Sequence, residues 1–449
     1  MDIEDVLGSI PPTWEYTTLG EVCIRGGGNI QTGPFGSQLH ASDYVAKGIP
    51  AIMPANIGDN RINENGIARI RESDAIRLER YRVKPGDIVY SRRGDVERRA
   101  LIRVREDGWL CGTGCLRVSL GNSVTDPAYA AFYLDHPAVR EWIVRHAHGA
   151  TMPNLNTEIL SNCPFVLPPI EEQKYIATTL SALDDKIELN RQMNETLEAM
   201  ARAVFKDWFV DFGPTRAKAE GRPPYLAPDL WSLFPDRLDD EGKPEGWIGG
   251  CLGDVTDLQN GFAFKSSDWQ EDGIPVVKIG SVKPAVVDLT QVSFVSAELA
   301  SERATFRLNV GDVLVGLTGY VGETGRVPPT ENPPLLNQRV ARFSASGGFS
   351  PFVFSCVRDP AFKIFAEGKG HGSAQANVST RDLLSYPIGC AEAPLIAAYN
   401  EIAAPLYEKS LSNLGEMSTL AATRDLLLPK LMSGEIRVQD AETALAAVA

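Results

Sequence analysis

Residues 150–209 of this chain align without a gap on residues 373–432, at a constant offset of 223. Asn154 falls on Asn377, Thr157 on Thr380, Leu160 on Leu383 and Pro164 on Pro387; further on, Leu183 falls on Leu406, Asn190 on Asn413, Leu197 on Leu420 and Val204 on Leu427. Solenoid units run to about 20–50 residues. The duplicated stretch exceeds that and includes a long helical pattern with its lead-in, so two whole domains are implied, each followed by its own helix. Upstream the match continues at shifted offsets: Trp14, Leu19, Gly20 and Val22 on Trp247, Leu252, Gly253 and Val255; Gly86-Asp87-Ile88-Val89 on Gly311-Asp312-Val313-Leu314; Gly94 on Gly319; Arg117 on Arg342. The chain reads as a covalent pseudo-dimer.

Each duplicated half ends in a periodic seam. Ile176, Leu180, Leu183, Ile187, Asn190, Asn194, Leu197, Ala201, Val204 and Trp208 alternate steps of four and three, the heptad spacing of a coiled coil. The second seam, Tyr399, Ala403, Leu406, Ser410, Asn413, Met417, Leu420, Arg424, Leu427 and Leu431, has the same period with weaker residues. Each helix needs a partner, and the other helix supplies one. Asn190 and Asn413 share a seam position, where a buried Asn fixes register at some cost in stability. A solvated helix face is the alternative for either Asn alone.

The globular parts carry short β-branched runs broken by Gly and Pro, such as Ile88-Val89-Tyr90, Cys115-Leu116-Arg117-Val118 and Val313-Leu314-Val315, which read as strands between long loops. Helical spacing recurs over 127–146 and 350–367. The fold class is α+β: two repeated mixed domains and two long helices. The boundaries fall at 1–167 and 247–391 for the globular parts and at 168–212 and 392–437 for the helices, with a Pro-, Gly- and charge-rich linker over 213–246 and a frayed alanine-rich tail over 438–449. Leu230, Trp231 and Phe234 are the linker residues able to dock.

Length allows two domains with their own cores, and no apolar run approaches the ~18 residues of a membrane span. The acidic start, Met1-Asp2-Ile3-Glu4-Asp5, lacks a basic-then-apolar leader, so the cytoplasm is the expected location. Seven scattered cysteines have no paired zinc spacing. Cys111 and Cys115 read as packing residues, and His146-Ala147-His148 as a surface turn; no metal site is expected. The net charge of −14 opposes a nucleic-acid partner at first sight. Yet thirteen basic residues, including Arg92, Arg93, Arg98 and Arg99, crowd residues 61–105 against seven acids, so local charge there is positive.

There is no Walker loop, no dinucleotide fingerprint and no His-Glu-x-x-His. Asn332-Pro333-Pro334-Leu335 is similar to the N-P-P-aromatic motif of adenine methyltransferases, but leucine stands where a flipped base needs an aromatic, so it reads as a loop. No catalytic residue is assigned. The informative loops are rich in groups that read base edges. Gln31, Thr32, Phe35 and Ser37 lie in one, with Asn260, Phe262 and Lys265 in its counterpart. Arg92, Arg93, Arg98 and Arg99 lie in another, whose partner carries Thr318, Tyr320 and Arg326. Asn337, Gln338 and Arg339, with the paired Asn154 and Asn377, complete the candidates. Guanidinium forks suit guanine and phosphate, and amides suit adenine. For any single arginine, surface charge on an ordinary turn is an equal alternative. Equivalent loops with different side chains imply different sequences read.

The order of globular domain, helix, globular domain, helix resembles the specificity subunit of type I restriction-modification enzymes over nearly the whole chain. Several strings carry the resemblance: Trp14 with Leu19-Gly20-Glu21-Val22, Thr32-Gly33-Pro34-Phe35-Gly36-Ser37, Pro168-Pro169-Ile170-Glu171-Glu172-Gln173, Phe205-Lys206-Asp207-Trp208-Phe209 and Leu427-Leu428-Pro429-Lys430-Leu431-Met432-Ser433-Gly434. It departs at Ala393-Pro394-Leu395-Ile396, which lacks the Glu-Glu-Gln of the first helix. The resemblance implies a non-catalytic reader of double-stranded DNA with two target recognition domains. Its helices would pack antiparallel as a spacer through Leu180, Leu183, Ile187, Asn190, Leu197, Trp208, Leu406, Asn413, Leu420 and Leu427. It implies two methyltransferase subunits carrying S-adenosylmethionine and motor-nuclease subunits using ATP and Mg, with no cofactor on this chain. Two fused, diverged readers imply a bipartite asymmetric target. A seam of about 1.5 Å per residue implies roughly 50 Å, or on the order of one to one and a half duplex turns, between readers. A coiled-coil binding module for a non-DNA ligand is the alternative.

Overall fold

Gly86 and Gly311 take φ of 92° and 88°, a left-handed turn that glycine adopts freely, and each feeds a fully buried central strand, Ile88–Ser91 and Val313–Gly316. Asp87 Oδ2 accepts from the Lys84 amide at 2.9 Å and Asp312 Oδ2 from the Asn309 amide at 2.9 Å, so one side-chain clamp fixes both turns. In the computed structural model, which describes residues 10–58, 60–121, 124–149, 152–344, 350–371, 376–390 and 393–436, these strands anchor two units. One joins residues up to 186 with those from 420 on; the other spans 187–419. The acidic start, the repeat ends at Ala150 and Ser373, the boundaries at 391, 392 and 437 and the tail over 438–449 lie outside the described residues.

In the first unit the strands Asn29–Thr32, Cys115–Ser119, Ile88–Ser91 and Arg99–Leu101 form an antiparallel sheet in that spatial order. A second sheet orders Ala68–Ile70, Tyr44–Ile52 and Leu110–Cys111, with the last pair parallel. Glu15–Thr18 pairs with Pro164–Leu167. The second unit repeats all three. Asp257–Asn260, Val340–Ser344, Val313–Gly316 and Thr324–Arg326 stand in the same order, extended by Ala285–Val286. Ser293–Val295, Ile274–Val277 and Leu335–Leu336 make the small sheet, and Ile248–Cys251 pairs with Pro387–Cys390. The repeat even preserves backbone strain: Asn60 and Ala285 are equivalent and both have positive φ, 52° and 69°. Asparagine tolerates this region; alanine rarely enters it.

The helical stretches of the globular parts each split in two, Pro127–Tyr133 with Pro137–His146 and Pro351–Arg358 with Pro360–Lys369. Each of the four has proline in its first turn, where a missing amide costs nothing. The long helices, Ile170–Phe209 and Ala393–Met432, close both cores. In the first unit Ile176, Leu180 and Leu183 share a core with Leu427, Leu431 and Met432, and Arg424 Nη1 lies 2.7 Å from Asp184 Oδ1. In the second, Trp208 shares a core with Tyr399 and Ala403, and Leu406 packs against it. Partner numbers fall on one helix as they rise on the other, so the packing is antiparallel.

Asn190 and Asn413 are buried, which excludes the solvated-face alternative. Asn190 Nδ2 donates to Glu416 Oε2 at 2.9 Å, Asn413 Nδ2 to Asn194 Oδ1 at 2.9 Å and Asn194 Nδ2 to the Ser410 carbonyl at 3.2 Å. Ile187, Leu197 and Leu420 are half-buried. Residues 213–246 include the helices Gly213–Ala219 and Pro228–Ser232, and Phe234 sets its ring edge-on to Trp208 at 5.1 Å. This segment is a docked strap rather than a free tether, because buried Thr215, Ala217 and Phe234 hold it. No helix among the described residues is long and apolar enough to cross a membrane.

Candidate nucleic-acid interface

Four loops converge in each unit. In the first, the Gly94 amide donates to the Pro153 carbonyl at 3.1 Å, Leu155 to Arg92 at 2.8 Å, Arg92 to Gly114 at 2.8 Å and Gly33 to Cys115 at 2.9 Å. Loops 32–38, 92–98 and 112–114 and residues 152–155 are thereby gathered at one place. In the second unit Gly319 donates to Ala376 at 2.9 Å, Val378 to Leu317 at 2.9 Å, Leu317 to Arg339 at 3.0 Å and Gln338 to Phe262 at 2.9 Å, gathering the equivalent loops. Gly33 and Gly261 permit the closest approach: a Cβ at either would collide with the main chain at Gly112 or Asn337. Sequence reasoning singled out residues on three of these loops in the first unit and on all four in the second as separate candidates, and the fold brings them together.

Several candidates turn out to build the frame. Arg99 is 5% exposed; its Nε donates to the Ala131 carbonyl at 3.1 Å and its Nη2 lies 2.7 Å from Asp135 Oδ1. Arg326 is likewise buried; Nη1 donates to the Tyr407 carbonyl at 3.0 Å, and burial pushes its pKa down to about 10. Both side chains are spent inside the fold rather than presented at its surface. Gln31 Oε1 accepts from Arg117 Nη2 at 3.1 Å, and Arg117 in turn lies 3.9 Å from Asp87. Gln259, Arg342 and Asp312 repeat this triad, so Gln31 is a frame residue too. Asn337 is buried, its Oδ1 accepting from the Arg339 amide at 3.3 Å to hold the turn.

The basic crowd in the first unit is also partly structural. Arg69, Arg77, Arg82, Arg103 and Arg105 donate to the main-chain carbonyls of Gly48, Gln38, Gly108, Asn60 and Ile62. Loops without regular pairing leave acceptors that long donors must satisfy. Burial pushes the Arg103 pKa down.

What remains exposed at the convergence differs between the units. The first presents Arg93, Ser37, Arg98 paired with Asp95 at 2.9 Å, and Phe35, 54% exposed, with the half-buried Arg92 guanidinium 5.9 Å over its ring. Thr32 and Asn154 are half-buried there. The second presents Asn260, Lys265, Gln338, Arg339, Asn377 and Tyr320, with Thr318 half-buried. Phe262 is half-buried beneath the Arg303 guanidinium at 4.7 Å and serves as a packing ring. Sequence reasoning missed Lys283, whose Nζ stands 6.0 Å over the Tyr320 ring, and Lys278, 3.7 Å over Trp269 with its pKa lowered by burial. Lys283 and Tyr320 lie far apart along the chain, so no local signal joined them.

Among the described residues no group of three or more His, Cys, Asp or Glu is placed to hold a metal ion. The His146 ring stacks on Trp142 at 3.9 Å, and Cys111 and Cys115 are buried, as packing residues are. Asn332 to Pro334 form a loop before the strand Leu335–Leu336. The exposed groups can donate to base edges and phosphates and stack on bases.

Residues 11–199 match the model of a protein family described as the type I restriction modification DNA specificity domain. The chain is 26% identical over 403 residues to the type I restriction enzyme HindI specificity subunit of Haemophilus influenzae, covering 79% of this chain and 87% of that protein. It is 24% identical to the MjaIX specificity subunit of Methanocaldococcus jannaschii, covering 97% and 96% of the two. Among solved structures, the type I restriction-modification S subunit of M. genitalium superposes with a TM-score of 0.53 at 18% identity, covering 94% of this chain and 96% of that one.

Proposed function

We propose that this chain is a member of the family of type I restriction-modification specificity subunits and the DNA reader of such a complex, each unit recognising one half of a bipartite asymmetric duplex target. The observation that carries this reading is the pair of loop convergences: one frame, two different sets of exposed side chains. A homodimer reads a palindrome because its readers are identical; diverged readers on one chain need not. The chain is a recognition subunit and not a catalyst.

The reader residues would be Thr32, Phe35, Ser37, Arg92, Arg93, Arg98 and Asn154 in the first unit, with Asn260, Lys265, Thr318, Tyr320, Gln338, Arg339 and Asn377 in the second. Methylation and cleavage would belong to partners: two methyltransferase subunits using S-adenosylmethionine, seated on the long helices, and motor-nuclease subunits using ATP and Mg. The complex would work in the cytoplasm. Residues 1–167 and 247–391 would be the two recognition domains, with the helices as spacer. Co-expressed with its methyltransferase partner, the chain should direct adenine methylation to one split motif, mapped by single-molecule sequencing. Methylation with no sequence preference would refute the reading.

A further inference from the structure

The two units carry the same backbone bridge with different side chains upon it. Arg93 pairs with Asn154 in an antiparallel bridge, and Asn154 pairs with His148; Thr318 pairs with Asn377, and Asn377 with His371. The neighbouring glycines, Gly94 and Gly319, share φ of 76°. Directly opposed residues of such a bridge project side chains on one face, close enough to touch. In the second unit they do: Thr318 Oγ1 donates to Asn377 Oδ1 at 2.7 Å. In the first unit arginine replaces the threonine. Asn154 Oδ1 is then buried with no hydrogen-bond partner, while Arg93 is exposed. Beside it Arg92 is held over Phe35, its Nε also buried without a partner.

Buried polar atoms in folded proteins are ordinarily satisfied, and the orphaned Asn154 acceptor lies on the same bridge as an exposed donor able to satisfy it. Resting on the DNA-reader assignment, the geometry points to Arg93 as a specificity-determining residue of the first unit that reads a guanine. Its guanidinium offers paired donors to O6 and N7 in the major groove, the commonest base-specific contact. Asn154 Oδ1 takes one of the remaining N–H groups and fixes the plane of the fork, a positioning role. In the second unit the threonine satisfies the same oxygen, so that position cannot hold an arginine in this way, and reading passes to Tyr320, Gln338 and Arg339.

The test grafts the second unit's pair onto the first. Arg93→Thr supplies a hydroxyl where Thr318 supplies one, so the fold is kept. With the methyltransferase partner, wild-type and variant complexes methylate a duplex library randomised across the target, and methylated adenines are mapped. The expected result is that discrimination for G·C at one position of one half-site falls roughly ten- to a hundred-fold, with every other position unchanged. Asn154→Ala should weaken the same position by a smaller factor, and Arg93→Lys, lacking the planar fork, should not restore it. A uniform loss across all sequences would mean that Arg93 contacts phosphate, and an unchanged motif would mean that it contacts nothing; either overturns the assignment. Both leave the DNA-reader function standing, since that fails only if the wild-type complex shows no split motif.

Discussion

Arg99→Ala separates a structural arginine from a reading one. The Nε of Arg99 satisfies the Ala131 carbonyl in the last turn of Pro127–Tyr133, where main-chain acceptors have no helical partner. Losing it orphans that carbonyl, at about 1–3 kcal/mol. Asp135 loses its closest cation. A broken buried pair costs roughly 3–5 kcal/mol, but the Asp135 side chain is 27% exposed and Arg140 Nη1 remains 3.8 Å away. That contribution therefore falls to about 1–2 kcal/mol. The total is about 3 kcal/mol, which for a unit of this size lowers the melting temperature by roughly 6–12 °C. Scanning calorimetry on the full chain should show the loss in one transition. At a permissive temperature the methylated motif should be that of the wild type. A melting temperature within about 2 °C of wild type, together with loss of one half-site, would refute the structural assignment.

Gln173 is buried; it accepts from Thr125 Oγ1 at 2.7 Å and the Asp126 amide at 2.9 Å and donates to the Pro168 carbonyl at 2.7 Å, whereas Asn400 makes the single analogous contact, accepting from the Phe352 amide at 2.9 Å. Gln173→Ala should cost about 2–4 kcal/mol and Asn400→Ala about 1 kcal/mol by urea unfolding, and equal effects would contradict this asymmetry. His136 Nδ1 accepts from the Ala138 amide at 3.2 Å, and burial lowers its pKa below the usual 6.5. The fold favours neutral His136, so its stability is full above pH 6.5 and is lost as pH falls through the lower folded value; His136→Asn should flatten that acid limb in urea midpoints measured from pH 7 to 5. Burial pushes the Cys23 and Cys111 thiols up to about 12, so at pH 8 a thiol reagent should label half-buried Cys251 well before either, and rapid native labelling of Cys23 would be inconsistent with its packing. Both thiols keep their stabilising contribution below pH 9 and lose it as pH rises toward 12.

The duplicated frame was legible because its determinants are local. A Gly-Asp turn before a β-branched run, or a seam at steps of four and three, announces itself within a dozen residues. The division of arginines was not. Arg93 and Arg99 sit six residues apart in one basic segment, and only the location of Ala131, in the helix Pro127–Tyr133, and of Asp135, in the turn after it, buries one of them. Gln31 and Asn337 have the side chains of adenine readers and are bound by Arg117 and by a turn amide. The missing Glu-Glu-Gln of the second helix has a comparable explanation. Asn400, one helical turn beyond the position aligned with Gln173, performs the amide's task on the equivalent short helix, a substitution that a gapless alignment reads as a loss.

The core of the unit where the chain begins is finished by residues at the other end of the sequence. Trp14, Leu19 and Val22 share it with Leu427, Leu428, Leu431 and Met432, the last turns of the second long helix. A ribosome releases these after every other element described in the chain. The unit containing Trp14 is therefore completed after the unit spanning 187–419, and until residues 427–432 emerge it waits with an open apolar face. Ribosome-stalled chains ending near residue 419 should accordingly show a protease-sensitive first unit, and chaperone demand should fall on the segment made earliest.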